Sequence, residues 1–324
     1  MEKNSTGPER ELIMEEKSSE PYLFVHINKT AGMSFRDSLD ESQSAVYDYG
    51  IDGPRTSKII LEKIYAERDP YGLYNEIGGS ATWLAGHFRL MRHSDFVDCR
   101  RIVTIVRDPL KRVISNFNHI RSNVDSSVKI DEYVDGKHNQ NIQHKYLLGL
   151  PHELIGFVGI TEKINESYEL INSGLSLDLN IKYSNKNTTK TIRDDAISSD
   201  LRDRIKEHNK LDYVLYDWAL KNHQERYRFY SEGKSWCHGY YTITDSEALY
   251  GVAFFEGSEE VVEVNVSKNG VHKDTLVANL FHANHVKPVF PRRRYVAFRM
   301  PNAKPEDDYD VFVAGTGQKL NLRT

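Results

Sequence analysis

Several features that would place a chain outside the ordinary globular proteins are missing from this sequence. Only two of the 324 residues are cysteine, Cys99 and Cys237, so a disulfide framework and a four-cysteine zinc site are both excluded. The net charge of −4 provides no global attraction to nucleic acid or to anionic membranes. No apolar run approaches the roughly 20 residues that a membrane-spanning helix requires.

The first twenty residues are polar and charged, and they contain no apolar segment of the kind found in secretory signals. We expect residues 1–20 to form a disordered tail. Together with the scarcity of cysteine, this composition predicts a cytoplasmic protein. It predicts neither nucleic acid nor a membrane as a partner, and it leaves the oligomeric state open, a homo-oligomer included.

Between residues 21 and 232, short apolar runs alternate with amphipathic segments of helical periodicity. The pattern predicts buried strands at residues 22–27, 82–85, 101–106 and 157–160. It also predicts helices that open at Gly32 and Pro109, a helix capped by Thr161, and further helices at 194–209 and 212–230. Strands that alternate with helices imply parallel β-α units. The expected fold class is therefore α/β, with a three-layer, P-loop-like parallel sheet flanked by helices.

From Gly233 onward the pattern changes to β-branched and aromatic runs that are separated by turns. Residues 262–267 alternate valine with polar side chains, and the pair Asn269-Gly270 is a strong hairpin signal. We therefore predict a C-terminal accessory domain at residues 233–324, an antiparallel β module folded as a small sandwich. Residues 21–232 form the α/β domain in this division.

Lys29 lies in a turn between the first predicted strand and the first predicted helix, in "HINKTAGMSF". The turn is not a Walker A loop, because the first glycine of G-x-x-x-x-G-K-[ST] is missing. Its backbone N–H groups and the positive end of the following helix can still converge on a tetrahedral anion, with hydroxyl groups from Thr30 and Ser34. The alternative is an ordinary turn whose lysine is solvated.

Arg107 and Ser115 belong to a second strand–helix unit, "RIVTIVRDPLKRVISNF". Arg107 ends the strand, at the edge where open α/β sheets bind ligands, and its guanidinium suits a phosphate. We expect Asp108 to cap the following helix. Ser115 shares a helix face with Arg112 and His119, and the alternative for these residues is a solvated polar face.

His87 follows a glycine that comes directly after the predicted strand 82–85, in "WLAGHFRL". This position places it at the same edge of the sheet. A histidine titrates near neutral pH, which makes His87 the natural candidate for a general base. The alternative is a structural or exposed loop histidine.

In their order and spacing these motifs resemble the sulfotransferases that use 3′-phosphoadenosine 5′-phosphosulfate (PAPS). The shared order is Lys-Thr-x-x-x-Ser-Phe after a strand, then Gly-His, then Arg-Asp-Pro with a serine eight residues after the arginine. The carbohydrate type, represented by the heparan sulfate 2-O- and 6-O-sulfotransferases, is the most similar. The segment "GITEKINESYELI" is similar to a further segment of that family, and the resemblance extends over residues 21–232.

The resemblance implies roles for individual residues. Lys29 would contact the phosphosulfate and stabilise the leaving oxygen, and His87 would take the proton from the acceptor hydroxyl. The loop residues that would bind the 5′-phosphate are Thr30, Ala31, Gly32, Met33 and Ser34. Arg107 and Ser115 would hold the 3′-phosphate. Many family members carry threonine where this chain has Met33, which removes one hydroxyl from the loop.

The predicted activity is in-line sulfuryl transfer from PAPS to a hydroxyl group of a carbohydrate or small metabolite, without a metal ion. The adenine loop is predicted at residues 184–190, and the acceptor pocket in loops at 42–56, 68–80 and 122–140. Two alternatives stay open. A nucleotide kinase or NTPase with a degenerate P-loop would depend on Mg²⁺, and a non-catalytic nucleotide- and glycan-binding protein would not need Lys29 for its activity.

Overall fold

The first part of the chain is built on a parallel sheet. Its strands are β1 (Tyr22–Val25), β2 (Ala45–Asp48), β3 (Trp83–Gly86), β4 (Ile102–Val106) and β5 (Phe157–Ile160). They lie in the order β2-β3-β1-β4-β5, and every neighbouring pair is parallel. Helices flank this sheet, so the α/β fold class predicted from the sequence is confirmed.

The computed structural model describes residues 21–42, 44–78, 82–181, 192, 197–283 and 288–323. The predicted tail at 1–20 and the predicted adenine loop at 184–190 lie outside these described residues. Strand β2 lies within residues 42–56, where the sequence predicts turns. Because β2 is a short edge strand whose residues are mostly half-buried, its apolar signal in the sequence is weak.

Helices cover both faces of the sheet. They are α1 (Gly32–Ser42), α2 (Lys58–Ile60), α3 (Pro70–Ile77), α4 (Pro109–Asn123), α5 (Ile130–Asp135), α6 (Ile142–Leu147), α7 (Ile164–Leu175), α8 (Ser199–His208) and α9 (Lys210–Ser231). Side chains alternate between the two faces of each strand, which produces two cores. One core contains Phe35 of α1 and Tyr168 of α7, and the other contains Leu215 of α9.

Three details of the helices differ from the sequence prediction. Helices α3 and α5 form in segments predicted as loops, 68–80 and 122–140. The prediction that Thr161 caps the helix after β5 is wrong. The Thr161 hydroxyl donates to the Val106 carbonyl oxygen at 3.0 Å, residues 161–163 form a 3₁₀ turn, and α7 begins only at Ile164.

The C-terminal part contains two further sheets. The first consists of β6 (Cys237–Thr244), β7 (Ala248–Phe255), β10 (Leu280–Phe281), β11 (Tyr295–Pro301) and β13 (Asn321–Leu322), and the second of β8 (Glu263–Lys268), β9 (Val271–Val277) and β12 (Tyr309–Val313). Neighbouring strands are antiparallel, apart from β13, which runs parallel to β6. Leu249 of the first sheet and Val264 of the second share one core, as expected of the predicted sandwich.

The β8–β9 hairpin turns at Asn269-Gly270, as predicted from the sequence. Both residues adopt positive φ angles, 50° at Asn269 and 76° at Gly270. A two-residue turn of this kind requires positive φ at both central positions, which asparagine and glycine tolerate best.

The C-terminal sheet that contains β6 also packs against the α/β part. Tyr240, Val252 and Phe254 on its outer face belong to the same core as Leu215 of α9. The two parts of the chain therefore share apolar packing, and the domain limits at 232 and 233 stay a prediction.

Candidate active site

Three predicted site residues follow the carboxyl ends of adjacent strands. Val25 of β1 pairs with Gly86 of β3 and with Thr104 of β4, so these strands end at the same edge of the sheet. Lys29 follows β1, His87 follows β3 and Arg107 follows β4. Open α/β sheets bind ligands at this edge.

The anion loop, which we define as residues 29–34, has an unusual backbone. Lys29 and Ala31 adopt left-handed conformations, with φ of 70° and 66°. The Ser34 N–H donates to the Ala31 carbonyl oxygen at 3.1 Å, and this turn leads into α1. As at any helix start, the first N–H groups of α1 have no acceptor within the helix. The loop therefore presents backbone donors beside the positive end of a helix.

The loop side chains differ in what they offer a ligand. Thr30 is buried, and its hydroxyl donates to the Ile27 carbonyl oxygen at 2.9 Å. Thr30 can therefore serve an anion chiefly through its backbone N–H group. Met33 is 40% exposed and adds no polar group to the loop.

Arg107 contacts the anion loop directly. Its Nη1 donates to the Lys29 carbonyl oxygen at 3.1 Å. Burial, together with the positive charge of Arg107, lowers the pKa of the Lys29 ammonium group. Burial and the charge of Lys29 likewise lower the pKa of His119 on α4. Two cations thus lie close together at the sheet edge, an arrangement that a bound anion would stabilise.

Buried glutamine Gln143 fixes the backbone of Arg107, a role for which no sequence pattern provided a signal. Its Oε1 accepts from the Arg107 N–H at 2.8 Å, and its Nε2 donates to the Arg107 carbonyl oxygen at 2.9 Å. On the other side, Glu162 Oε1 lies 4.0 Å from Arg107 Nε. The guanidinium is therefore held between the loop and a carboxylate that follows β5.

Helix α4 begins as predicted but orients one side chain differently. Asp108 is its N-cap, with Oδ1 accepting from the Lys111 N–H at 2.9 Å. The interpretation of Arg112 as part of a solvated polar face is wrong. Arg112 is fully buried, and its Nε lies 4.0 Å from the Asp212 carboxylate of α9. Ser115 is half-buried on the same helix, and none of the described residues hydrogen-bonds its hydroxyl.

His87 is half-buried and has one nitrogen occupied. Its Nδ1 lies 2.7 Å from the His26 carbonyl oxygen, which can only accept, so Nδ1 carries the proton. In the neutral ring Nε2 is then the proton acceptor. Burial lowers the pKa of His87; the hydrogen bond to His26 opposes this, and the Arg36 charge adds to it.

A second histidine, His26, and Tyr49 stand beside His87, and neither was singled out from the sequence. The His26 and His87 ring centroids are 4.2 Å apart, and the Tyr49 ring meets His87 edge-on at 4.8 Å. The Tyr49 hydroxyl lies 3.2 Å from His26 Nδ1. A single sequence provides little reason to select either residue. His26 merely precedes the turn that contains Lys29, and Tyr49 lies in the segment 42–56, which was predicted as a loop.

The described residues contain neither a metal centre nor a membrane-spanning helix. No group of three or more histidine, cysteine, aspartate or glutamate side chains among them is arranged to hold a metal ion. Within the same residues, no helix combines the length and the apolar character needed to cross a membrane. Cys99 and Cys237 are both free and buried.

Comparison with known proteins yields a weak structural similarity. No family model and no curated protein matches the chain. The crystal structure of a sulfotransferase from Alicyclobacillus acidocaldarius is similar, at 13% sequence identity and a TM-score of 0.36, over 59% of this chain and 92% of that chain. This level of similarity does not assign the chain to a family.

Proposed function

We propose that this protein is a sulfotransferase that moves a sulfuryl group from PAPS to a hydroxyl group of a carbohydrate or small metabolite. The observation that carries the proposal is the contact of Arg107 with Lys29, 3.1 Å from Nη1 to the carbonyl oxygen, at the sheet edge that also carries His87. Two cations, a helix start and a neutral imidazole together suit a doubly phosphorylated donor and a hydroxyl acceptor. They also match the order of motifs in the sequence.

The donor set fits PAPS in its chemistry. The left-handed residues of the anion loop bring successive N–H groups to the start of α1, a backbone arrangement that favours anions. In this proposal Thr30, Ala31, Gly32, Met33 and Ser34 bind the 5′-phosphate. Arg107 and Ser115 bind the 3′-phosphate, because a guanidinium is a good phosphate donor and none of the described residues hydrogen-bonds the Ser115 hydroxyl.

Bound PAPS would supply the sulfuryl group and the phosphate oxygen that leaves with the nucleotide. The protein's contribution is to position the reactants and stabilise charge, as in phosphoryl transfer. Lys29 provides a cation where negative charge develops on the leaving oxygen. His87 Nε2 accepts the proton of the acceptor hydroxyl, because Nδ1 is already donating to the His26 carbonyl oxygen.

The proposal is tested by thermal unfolding with two nucleotides, because a ligand that binds the native state raises its apparent stability. We expect 3′-phosphoadenosine 5′-phosphate (PAP) to raise the melting temperature of the wild type. Lys29→Ala and Arg107→Ala should each reduce this shift. Lys221→Ala, at an exposed position on α9, is the matched control and should keep it. Stabilisation by ATP with Mg²⁺ but not by PAP would refute the proposal in favour of a nucleotide kinase or NTPase.

Transfer itself is tested with ³⁵S-labelled PAPS and a panel of neutral saccharides and hydroxylated metabolites. We expect His87→Ala to keep the PAP-dependent thermal shift and to lose about 100-fold or more in turnover. Near wild-type turnover in His87→Ala would contradict its role as the base. A wild type that binds PAP but transfers label to no acceptor would favour the non-catalytic alternative.

A further inference from the structure

His26 lies between the anion loop and His87, although it belongs to neither. It directly follows β1 and is only 3% exposed. Its N–H donates to the Gly86 carbonyl oxygen at 2.9 Å, which continues the pairing of β1 with β3. This hydrogen bond fixes the backbone of His26 against Gly86, the residue that directly precedes His87.

The His26 ring is packed directly against the start of α1. A Cβ atom placed on Gly32 would lie 2.0 Å from His26 Cδ2 and 2.2 Å from Nε2, far closer than atoms can approach. Gly32 is therefore required not by its φ angle but by the ring beneath it. The position of the loop at Gly32 and the position of the His26 ring determine each other.

His26 also contacts His87 in two ways. Its carbonyl oxygen accepts from His87 Nδ1 at 2.7 Å, and the two rings lie 4.2 Å apart. Tyr49 holds the other side of the ring, with its hydroxyl 3.2 Å from His26 Nδ1. A displacement of His26 would therefore move both the ring and the hydrogen-bond acceptor that orient His87.

Burial keeps His26 neutral, and nearby charges add to the effect. Burial lowers its pKa well below the usual value, and the charges of His87, Arg36 and Lys29 lower it further. Across from Nδ1, the phenol of Tyr49 also faces the ring. A neutral ring can pack under the loop without adding a third cation beside Lys29 and Arg107.

We infer that His26 is a positioning residue: its ring supports the anion loop at Gly32, and its carbonyl group and ring hold His87 with Nε2 directed away from the backbone. The inference rests on the proposed function for the roles of the loop and of His87. One residue, His26, thereby keeps the anion loop and the proton acceptor, Nε2 of His87, in fixed positions relative to each other.

The packing of the His26 ring against Gly32 is tested by thermal unfolding of the full chain with PAP. Gly32→Ala should lose most of the PAP-dependent shift, because its methyl group displaces the buried ring. In the double variant His26→Ala/Gly32→Ala the space is restored, and we expect at least half of the shift to return. A Gly32→Ala variant with the full wild-type shift would overturn this part of the inference.

The effect of His26 on the orientation and tautomer of the His87 ring is tested by ¹⁵N–¹H NMR of the histidine side chains and by kinetics. In the wild type we expect His87 to carry its proton on Nδ1. His26→Ala keeps the carbonyl acceptor but removes the ring that packs against His87, so we expect the His87 ring to reorient and exchange between tautomers. The kcat should fall about 100-fold in His26→Ala. His26→Phe, which keeps a ring over Gly32, should recover most of the kcat and stays informative if the alanine variant does not fold.

Outcomes that refute this inference differ from those that refute the proposed function. Unchanged His87 signals and wild-type kcat in His26→Ala would refute the positioning role. A wild type that is not stabilised by PAP would refute the proposed function, while the NMR comparison would still decide whether His26 orients His87. His272→Ala, an exposed histidine on β9, is the control and should behave as the wild type in every assay.

Discussion

At the scale of single residues, the site combines two cations, Lys29 and Arg107, with a neutral histidine, His87. Burial and the nearby charge of Arg107 lower the pKa of Lys29, and an anion between the two cations is favoured. His87 is instead kept neutral by burial, and its Nε2 can accept a proton. These opposite requirements are met within one sheet edge because different strands supply the residues.

The pH dependence of kcat/KM should report the state of His87 in the free protein. Its pKa lies below the ordinary 6.5, and only the neutral ring accepts a proton, so kcat/KM should rise with pH through a midpoint below pH 6.5. Arg36→Gln removes a positive charge that lowers this pKa, and the midpoint should move to higher pH. Measured profiles of kcat/KM against pH check this. Arg36→Lys keeps the charge and should show no shift, and equal profiles for Gln and Lys would contradict the assignment.

Gln143 should matter for both stability and ligand binding. Replacing it with leucine removes both hydrogen bonds that the part-buried backbone of Arg107 makes to this side chain, at a cost of about 1–3 kcal/mol in the free energy of unfolding. PAP binding should also weaken, since the Arg107 backbone is no longer fixed. Urea unfolding and PAP-dependent thermal shifts measure the two effects. Gln224→Leu, at an exposed position on α9, is the control, and equal losses in both variants would refute the role of Gln143.

At the scale of elements, the site depends on where two helices begin. Helix α1 starts at Gly32 in the anion loop, and α4 starts at Pro109, two residues after Arg107. The Asp108 cap therefore fixes both the start of α4 and the departure of the chain from Arg107. Helix stability and ligand binding are coupled at this point because the same backbone serves both.

Removal of the Asp108 cap should reduce stability and PAP affinity together. Asp108→Ala leaves the Lys111 N–H without its acceptor, and we expect a loss of about 1 kcal/mol in the free energy of unfolding. Asp108→Asn retains a capping oxygen and should lose much less. Urea unfolding with and without PAP tests this. Asp203→Ala, an exposed position within α8, should be nearly neutral, and a similar result for Asp108→Ala would contradict the capping role.

At the scale of the whole molecule, the β part is not merely attached to the α/β part. The two share an apolar core that includes Leu215 and Phe254. A buried ion pair also joins them, between Arg226 of α9 and Glu256, which directly follows β7. Arg226 Nη1 donates to the Gly156 carbonyl oxygen at 2.6 Å, and its guanidinium lies 3.9 Å from the centre of the Phe157 ring.

Loss of Glu256 should destabilise the whole chain. Glu256→Ala leaves the buried Arg226 guanidinium without its counter-charge, at an expected cost of about 3–5 kcal/mol. Glu256→Gln keeps a hydrogen-bond acceptor and should lose less. Urea unfolding followed by circular dichroism measures both, and we expect one transition because the core is shared. Glu260→Ala is the exposed control, and an equally small effect of Glu256→Ala would show that the pair does not join the two parts.

Strong periodicity and specific turn residues were sufficient to predict the main elements. The buried strands β4 and β5, the helix α4 with its Asp108 cap and the hairpin at Asn269-Gly270 follow from local patterns. Edge strand β2 and the short helices α3 and α5 do not, because short or half-buried elements carry little apolar signal.

For the site, the local pattern of strands and turns was enough to predict that Lys29, His87 and Arg107 follow strands, and hence that they meet at one edge of a parallel sheet. The surroundings of these residues depend on tertiary packing. Gln143 and His26 lie far along the chain from the groups they orient, and Arg112 turns inward to Asp212. Such contacts depend on how separate elements pack, and no pattern of neighbouring residues encodes that.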